Sequence, residues 1–309
     1  MRIFTDWRGL PADARGAAVA LGNFDGVHLG HRHLIRATHA ARPDAPLAVL
    51  TFEPHPRELF RPDDPPFRLS MAAERAAALE KLGVTLLYEL PFDRAFSLLT
   101  PEQFVAGVLH EGLGAAHLAC GPGFAFGHRR RGDLAFLAQR AEALGMGLTP
   151  VPPLADSDGP LSSTRIRRAL QDGYPERATA ELGRPWAIRG PVTHGDKRGR
   201  TIGFPTANVP LGRHLEPARG VYAVTVHLAD GGVHQGVANI GRRPTVDEGL
   251  ESRVEAHIFD FDGDLYGQDV SIALHGFLRA EQKFASFDAL KAQIATDALE
   301  ARTLFRDQP

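Results

Sequence analysis

The chain has 309 residues, which is long for a single hydrophobic core, so two domains are expected. Its formal net charge of −2 excludes a protein-wide attraction to nucleic acid or to anionic lipid. The single cysteine, Cys120, excludes a disulfide within the chain, and with no charged and apolar leader it predicts a reducing, cytoplasmic location. No apolar run approaches the length of a membrane span.

The first half of the chain alternates between short apolar runs and helical patterns. The predicted strands are 17–21, 47–52, 86–90, 117–120 and 148–151, and the predicted helices are 31–41, 71–82, 101–109 and 133–144. This alternation predicts an α/β domain, in which a parallel sheet is wrapped by helices and ligands bind at the carboxyl ends of the strands.

The pattern changes near Gly183 and Arg184, where we place the boundary between a domain 1–183 and a domain 184–309. After it come apolar runs separated by Gly, Pro and Asp turns that are too short for crossover helices. The predicted strands are 187–194, 204–209, 221–228, 233–240, 254–259 and 270–278, followed by a helix over about 287–304. The second domain is therefore expected to be antiparallel.

Residues 22–31, Gly-Asn-Phe-Asp-Gly-Val-His-Leu-Gly-His, form the predicted turn between the first strand and the first helix. The first N–H groups of a helix have no helical partners and carry the positive end of its dipole, and Gly22, Gly26 and Gly30 let the main chain approach an anion closely. His28 and His31 are three apart, so on a helix they lie on one face. Two imidazoles there suit charge stabilisation or proton handling at a phosphorus centre.

The same two histidines are also compatible with a metal site or with ordinary surface positions. A zinc site needs a third ligand at a recognisable spacing, and none is evident. The whole stretch resembles the first motif of nucleotidylyltransferases, and its Asn-Phe-Asp-Gly variant is similar to that of bacterial bifunctional riboflavin kinase/FAD synthetases. The resemblance implies a Rossmann-like domain with His28 and His31 as catalytic residues. The ATP-binding residues that it implies in this stretch are Gly22, Asn23, Phe24, Asp25, Gly26 and Gly30.

Residues 161–167, Leu-Ser-Ser-Thr-Arg-Ile-Arg, begin another predicted helix. By themselves they are typical of a capped surface helix. Adenylyl transfer, however, needs a second anchor for the β and γ phosphates, and hydroxyls, helix N–H groups and an arginine meet that need. The stretch is similar to the Ser-Ser-Thr-x-x-Arg motif of the same family, which implies ATP binding by Ser163, Thr164 and Arg167.

Two further stretches resemble flavin-binding segments of that family. In the stretch 51–56, Thr-Phe-Glu-Pro-His-Pro, the resemblance implies that His55 and Pro56 bind flavin. In the stretch 120–127, Cys-Gly-Pro-Gly-Phe-Ala-Phe-Gly, it implies that Phe124 and Phe126 bind flavin. The second departs from the family, because Gly123 stands where Asp or Asn is usual, so a side-chain contact is missing. The following His-Arg-Arg-Arg run, 128–131, is either a solvated basic loop or a mobile arm over the triphosphate.

The second half carries a possible phosphate loop, 195–199, Gly-Asp-Lys-Arg-Gly, which is also good hairpin chemistry. Thr206 and Asn208 follow it and offer hard oxygen atoms two apart on an extended chain, which suits Mg²⁺ bound together with phosphate. Glu255 shares a strand face with His257, opposite its apolar neighbours. Solvent is the ordinary environment for such a carboxylate.

These stretches stand in the order found in riboflavin kinase domains, together with Asn239-Ile240-Gly241 and Leu278-Arg279-x-Glu281. The resemblance implies an antiparallel six-stranded Greek-key barrel, with Thr206 and Asn208 as Mg²⁺ or nucleotide ligands and Glu255 as the base. The other residues that it implies are Gly195, Lys197, Arg198 and Gly199 for the nucleotide and Arg279 for the flavin.

The leading hypothesis is an enzyme that phosphorylates riboflavin in the second domain and adenylylates FMN in the first, with ATP as co-substrate and Mg²⁺ as cofactor. One alternative is an adenylyltransferase for another phosphate acceptor, such as phosphopantetheine, with an accessory barrel. A nucleic-acid-binding barrel is disfavoured, because no strand interleaves exposed aromatic and basic residues. No membrane and no obligate protein partner is expected.

Overall fold

The structure is a computed structural model that describes residues 1–194, 206–244 and 250–307. It divides into two compact units, which are described separately below. The first unit contains Met1–Asp64 and Ser70–Ser162, and the second contains Pro65–Leu69 and Ser163–Pro309. The residues between Ser163 and Gly183 thus pack with the second unit, and the domain boundary at Gly183 stays a prediction about the functional halves of the chain.

The first unit is built on a parallel six-stranded sheet with the order β1-β4-β3-β2-β5-β6. The strands are β1 Arg2–Phe4, β2 Ala18–Leu21, β3 Leu47–Glu53, β4 Leu86–Pro91, β5 His117–Cys120 and β6 Gly147–Pro150, followed by the short antiparallel pair β7 Ala155–Asp156 and β8 Gly159–Pro160. Strands β2 and β5 are neighbours on which the strand order reverses. Ligands of open α/β sheets bind at such a switch point, so the carboxyl end of β2 is where a site is expected.

Helices connect these strands. They are α1 Leu29–Ala41, α2 Pro56–Phe60, α3 Ala72–Glu80, α4 Arg94–Ser97, a π-helix Gln103–Gly112 and α5 Leu134–Ala143, with 3₁₀ turns at Ala12–Ala14 and His128–Arg130. The π-helix replaces the α-helix expected over 101–109. Its predicted capping box is confirmed, since the Thr100 N–H donates to Gln103 Oε1 (2.9 Å) and the Gln103 N–H donates to Thr100 Oγ1 (3.1 Å).

The second unit is an antiparallel six-stranded sheet with the order β10-β13-β12-β11-β14-β9. Its strands are β9 Trp186–Pro191, β10 Ala207–Pro210, β11 Gly220–His227, β12 Val233–Pro244, β13 Leu250–Ile258 and β14 Asp269–Ala280. The two edges approach each other, because the Thr193 N–H after β9 donates to the Asn208 carbonyl of β10 (2.8 Å). The sheet therefore nearly closes into the predicted barrel.

The two faces of the barrel wall have different partners. The inner face contributes buried residues such as Tyr222, Ile240 and Val254 to the core, which helices α6 Ser163–Gln171 and α7 Pro175–Leu182 also join. On the outer face, Val221 and Ala223 pack with Ala301 of the C-terminal helix α8 Phe287–Asp307. The fold class predicted from the sequence, a Rossmann-like α/β unit followed by a barrel with a C-terminal helix, is confirmed.

Glu216, between β10 and β11, is the centre of a polar network in the second unit. Arg242 Nη2 and Ser252 Oγ donate to its Oε2 (both 2.7 Å), and Arg219 Nε donates to its Oε1 (2.6 Å). Burial raises the pKa of Glu216, but these hydrogen bonds and the charge of Arg219 outweigh it and lower the pKa below the ordinary glutamate value.

The Glu216→Gln variant is therefore expected to lose stability at neutral pH, by about 1 kcal/mol because the network is partly exposed. A lowered native-state pKa gives stability that is present above the unfolded-state pKa and lost as the pH falls through the native one. Calorimetry from pH 7 to pH 3 should show the unfolding temperatures of the two proteins converging in acid. A constant difference between them would contradict this assignment.

Candidate active sites

The turn after β2 places His28 at the N-cap of α1, where its Nδ1 accepts from the N–H groups of Gly30 (3.1 Å) and His31 (3.4 Å). An accepting Nδ1 leaves the proton of the neutral ring on Nε2. The helix begins at Leu29, two residues before the predicted start at His31, so His28 lies just outside it as the cap. The two rings nevertheless stack, with centroids 3.7 Å apart and planes at 25°. The site thus holds two adjacent imidazoles, and the tautomer of His28 is set by the helix terminus.

Glycine is needed at position 30 by this arrangement. A Cβ atom added there would lie 3.0 Å from His28 Cε1 and 3.1 Å from His28 Nδ1, closer than ordinary contacts. A larger residue at position 30 would therefore push the capping ring away from the helix terminus.

The rest of the turn is held in a strained conformation by buried hydrogen bonds. Phe24 and Val27 have positive φ angles of 51° and 45°, which side chains other than glycine rarely adopt. Ser70 stabilises the turn with two hydrogen bonds. Its Oγ accepts from the Gly26 N–H (2.9 Å), and its N–H donates to Asp25 Oδ1 (3.0 Å). Strain of this kind is typical of ligand clamps.

Some of the predicted ATP-binding residues of this turn are buried and shape it, and others offer main chain that an anion can approach. Phe24 and Asp25 are buried, at 0% and 2% exposure, and they shape the turn from inside. Asn23 contributes its carbonyl, which accepts from Thr51 Oγ1 (3.0 Å). The surface that an anion can approach is formed by the main chain around Gly22 and Gly30 and by the histidine rings.

At the end of β3, His55 caps α2 in a capping box. Its Nδ1 accepts from the Arg57 N–H (3.1 Å), and its own N–H donates to Glu58 Oε2 (3.0 Å). Pro56 is the first residue of α2, a position that its fixed φ angle suits. Nearby, the buried Arg75 donates through Nη2 to Glu53 Oε2 (2.9 Å) and to Glu89 Oε1 (2.6 Å), tying β3 to β4.

A chain of aromatic rings connects the two segments that were predicted to bind flavin. Phe124 stacks on Phe126 with centroids 5.5 Å apart, and Phe126 lies 5.3 Å from Phe104. From there the contacts continue through Phe96, Phe52 and Phe92 to Phe60, at the end of α2. Sequence reasoning missed these additional rings, although Phe52 and Phe92 lie at strand ends, where ligands are expected. Phe52, Phe96, Phe104 and Phe126 are buried in the core of this unit, so the rings join the two segments through the core. Phe60, Phe92 and Phe124 are the rings of this chain that remain at least partly exposed.

The loop after Phe126 is closed rather than open. Phe126 and Gly132 exchange two backbone hydrogen bonds of 3.0 Å, and a Cβ atom added at Gly127 would lie 2.6 Å from Pro101 N. Arg129 and Arg130 both have φ angles of 56° in this closed turn. The basic run is thus displayed on a defined loop, and its contact with triphosphate stays a prediction.

Helix α6 begins at Ser163, as predicted, with Ser163 and Thr164 in its first turn. Arg167 Nε donates to the carbonyl of Phe67 (2.8 Å), and its guanidinium carbon lies 5.3 Å from the centroid of the Phe67 ring. This arginine is therefore oriented by the segment Pro65–Leu69 of its own unit. Phosphate binding by these three residues stays a prediction.

In the second unit, strand register aligns several of the predicted residues. Glu255 of β13 is directly opposite Asn208 of β10 on one side and opposite Asn239 of β12 on the other. Residues directly opposite each other in antiparallel strands share a face. Their chain neighbours Ala207, Val254 and Ile240 belong to the barrel core, so this row lies on the outer face.

Asn208 is 5% exposed, and its Nδ2 donates to the Thr206 carbonyl (3.2 Å). This contact orients Oδ1 as the remaining acceptor of the amide, in keeping with a hard oxygen ligand. Within the described part of the chain, no cluster of three or more His, Cys, Asp and Glu residues could hold a metal ion. Magnesium at this position would therefore depend on neutral oxygens and on phosphate oxygens.

Arg279 continues the row on β14, opposite Val221 of β11. Its Nε and Nη2 donate to the two carboxylate oxygens of Asp297 (2.9 and 2.8 Å), and Gln293 Nε2 also donates to Asp297 (2.9 Å). This pair fastens α8 to the barrel. Sequence reasoning missed Asp297 and Gln293, and their i, i+4 spacing on the last helix was the available signal. Flavin binding by Arg279 stays a prediction.

Four predicted residues of the phosphate loop cannot be placed. Gly195, Lys197, Arg198 and Gly199 lie outside the described residues, as do Gly203, Phe204 and Pro205. Their assignment to the nucleotide stays a prediction.

The first unit is an α/β fold whose first turn is capped by a histidine and suits an anion. The second is an antiparallel barrel that carries a carboxylate between two amides. Together these features define a two-domain enzyme of nucleotidyl and phosphoryl transfer. Family models agree with both halves: FAD synthetase matches residues 10–165, and riboflavin kinase matches residues 182–305. The chain belongs to the family of bifunctional riboflavin kinase/FMN adenylyltransferases. It phosphorylates riboflavin to FMN and adenylylates FMN to FAD, with ATP as the co-substrate of both steps.

Relatives support this assignment over nearly the whole chain. The bifunctional riboflavin kinase/FMN adenylyltransferase of Escherichia coli K12 is 43% identical over 296 residues, covering 95% of this chain and 94% of the relative. The enzyme of the same name from Bacillus subtilis is 38% identical over 295 residues, covering 94% and 92%. These matches favour flavin over the other phosphate acceptors considered above.

A crystal structure described as a macrolide-efflux protein from Streptococcus pneumoniae has a TM-score of 0.86 and 35% sequence identity. The match covers 100% of this chain and 99% of that one. The description differs from those of the other relatives, and we take from this likeness the shared fold. No helix in the described ranges is both long and apolar enough to cross a membrane.

Proposed function

We propose that His28 and His31 stabilise the negative charge that develops on the α phosphate of ATP during adenylyl transfer. The observation that carries this proposal is the capping contact of His28, whose Nδ1 accepts from the helix N–H groups. Nε2–H is then a preorganised donor at a turn built for an anion. An oxygen of the FMN phosphate attacks the α phosphorus, the bond to the bridging oxygen breaks, and pyrophosphate leaves without a covalent enzyme intermediate.

The other residues of the adenylyltransferase site have supporting roles in this proposal. The main chain around Gly22 and Gly30 binds the phosphates, and Gly26, predicted to bind ATP, instead holds the turn through its N–H bond to Ser70. Ser163, Thr164 and Arg167 hold the β and γ phosphates away from the attacking group. The flavin is bound at His55, Pro56, Phe124 and Phe126. Phe124, which is partly exposed and stacks on Phe126, supports an aromatic ligand at this segment.

In the barrel, Glu255 accepts the proton of the riboflavin hydroxyl as that oxygen attacks the γ phosphorus and ADP leaves. Thr206 and Asn208 would hold Mg²⁺, which supplies charge neutralisation at the phosphates. The support is the register that puts Glu255 directly beside Asn208 on the outer face. Gly195, Lys197, Arg198 and Gly199 bind nucleotide phosphate, and Arg279 contacts the flavin.

The functional boundary in this proposal is at Gly183 and Arg184, and the enzyme works in the cytoplasm. The test of the two-site assignment is a time course with riboflavin, ATP and Mg²⁺, in which the flavins are separated. FMN should accumulate first and FAD should follow. Omission of Mg²⁺ should stop the first step if Thr206 and Asn208 bind it with the nucleotide.

Arg167→Ala should weaken the FMN-to-FAD step, because the planar guanidinium donors that hold the ATP phosphates are lost. We expect the KM for ATP in that step to rise about 10-fold, as a charge-assisted hydrogen bond is worth about 1.5–3 kcal/mol. Arg167→Lys is the matched control for charge without the planar donors. An unchanged KM for ATP in the alanine variant would reject this role.

Gly123→Asn tests the departure from the family pattern. A Cβ atom added at Gly123 meets nothing within 4 Å, so the substitution should leave the fold intact. We expect faster adenylylation of FMN, by about the 2- to 10-fold that one new hydrogen bond provides. An unchanged or slower rate would show that the flavin site is adapted to glycine.

A further inference from the structure

Asn239 on β12 lies directly beside the proposed base. It is the register partner of Glu255, whose other partner is Asn208 on β10. Neighbouring strands are about 4.8 Å apart, so the three side chains leave one face of the barrel in a short line. The line has the order amide, carboxylate, amide.

Asn239 lies on the outer face of β12 and is partly exposed. Its neighbours Ala238 and Ile240 are buried in the core at 1% and 0% exposure, whereas Asn239 is half-buried on the opposite face. Among the described residues, its side chain makes no hydrogen bond. A Cβ atom added at Gly241 would collide with Glu281 Oε1 and would lie 3.3 Å from Asn239 Nδ2, so glycine there lets the Glu281 carboxylate and the Asn239 amide lie side by side.

Because Glu255 lies between Asn208 and Asn239, the two amides are expected to face different substrates. Phosphoryl transfer places the nucleotide phosphates on one side of the attacking oxygen and the body of the acceptor on the other. Since Asn208 is assigned to the nucleotide and its metal, the acceptor alcohol extends from Glu255 toward Asn239. Beyond Asn239, the row continues to Val221, which is 6% exposed in the cluster under α8.

We propose that the Asn239 amide binds a ribityl hydroxyl next to the one that is phosphorylated, and so selects polyol acceptors. An amide both donates and accepts, as does a hydroxyl, so the pairing is chemically matched. The inference rests on the proposed role of Glu255. Asn239 contacts the substrate and takes no part in proton transfer.

Asn239→Ala should lower kcat/KM for riboflavin about 10-fold, the upper end of the effect of one neutral hydrogen bond. The KM for ATP and the adenylylation of added FMN should stay unchanged. The matched control is Gln235→Ala, which removes an exposed amide from the same face of the same strand, four residues and about 13 Å away. This control should keep full activity.

The deciding measurement uses a flavin whose side chain is 5-hydroxypentyl, with the terminal hydroxyl and no others. Wild-type enzyme should lose efficiency with this flavin, and Asn239→Ala should use it as well as wild type does. Independent, multiplying losses from the substitution and the missing hydroxyls would overturn the proposal, as would full riboflavin activity in Asn239→Ala. Asn239→Ser, which keeps a hydrogen-bonding group, should fall between wild type and alanine, and equal loss in both variants would contradict a direct contact.

The test of the Asn239 contact can be distinguished from the test of Glu255 as the base. If Glu255→Gln kept full activity while Asn239 still discriminated the two flavins, the base would be wrong and the polyol contact would stand. If Glu255→Gln lost activity and Asn239→Ala showed no such discrimination, the polyol contact alone would fail. Thermal unfolding of each variant checks that the barrel is intact.

Discussion

Replacing His28 with asparagine is expected to lower the rate of FAD formation from FMN by about 10²–10³, the usual cost of losing one preorganised donor at a developing charge. Asparagine is a strong N-cap residue, so its side chain can still accept from the first N–H groups of α1. What it lacks is the reach and the Nε2–H of the imidazole. The variant therefore separates the structural role of His28 from its chemical one.

His28→Ala is the companion variant. It should lose the same catalytic factor and, in addition, about 0.5–2 kcal/mol of stability from the missing cap. Phosphorylation of riboflavin should continue in both variants. Near wild-type FAD formation by the asparagine variant would refute the donor role, and equal loss of both activities would indicate misfolding or one shared site.

The first turn of α1 shows what the sequence could and could not predict. Apolar residues before Gly22 and the glycines after it were enough to locate a strand, a turn and a helix. The start of the helix was misplaced, because histidine is outside the usual N-cap set. The contact between Ser70 and Asp25 was not predicted, because the two residues are 45 apart in sequence and no local rule links two buried side chains across that separation.

The π-helix and the barrel row show the same limit. Thr100 and Gln103 predicted where the helix Gln103–Gly112 begins, but the spacing of backbone hydrogen bonds inside it is invisible to side-chain periodicity. Alternation predicted the strand face of Glu255. Which residues lie beside it depends on strand pairing, and pairing is decided by the packing of the whole barrel.

Replacing Glu255 with glutamine is expected to lower the turnover of riboflavin to FMN by about 10²–10⁴, the usual contribution of a positioned general base. Glutamine keeps the size and much of the hydrogen bonding of glutamate, so the binding of riboflavin should persist. Glu255 lies between Asn208 and Asn239 on the outer face and is only partly exposed, so it is not a freely solvated carboxylate. Rapid-quench measurement of FMN from riboflavin checks the rate of the chemical step.

Mixing Glu255→Gln with His28→Asn tests whether each variant has lost only one of the two activities. Glu255→Gln should still adenylylate added FMN, and His28→Asn should still make FMN from riboflavin, so an equimolar mixture should form FAD from riboflavin when neither variant alone does. This follows because the two steps use different active sites and FMN can diffuse between molecules. Alanine at Gln235, on the same outer face, serves as the folding control. Production of FMN by Glu255→Gln at a near wild-type rate would contradict the base assignment and leave Glu255 as the surface carboxylate that its strand pattern alone predicts.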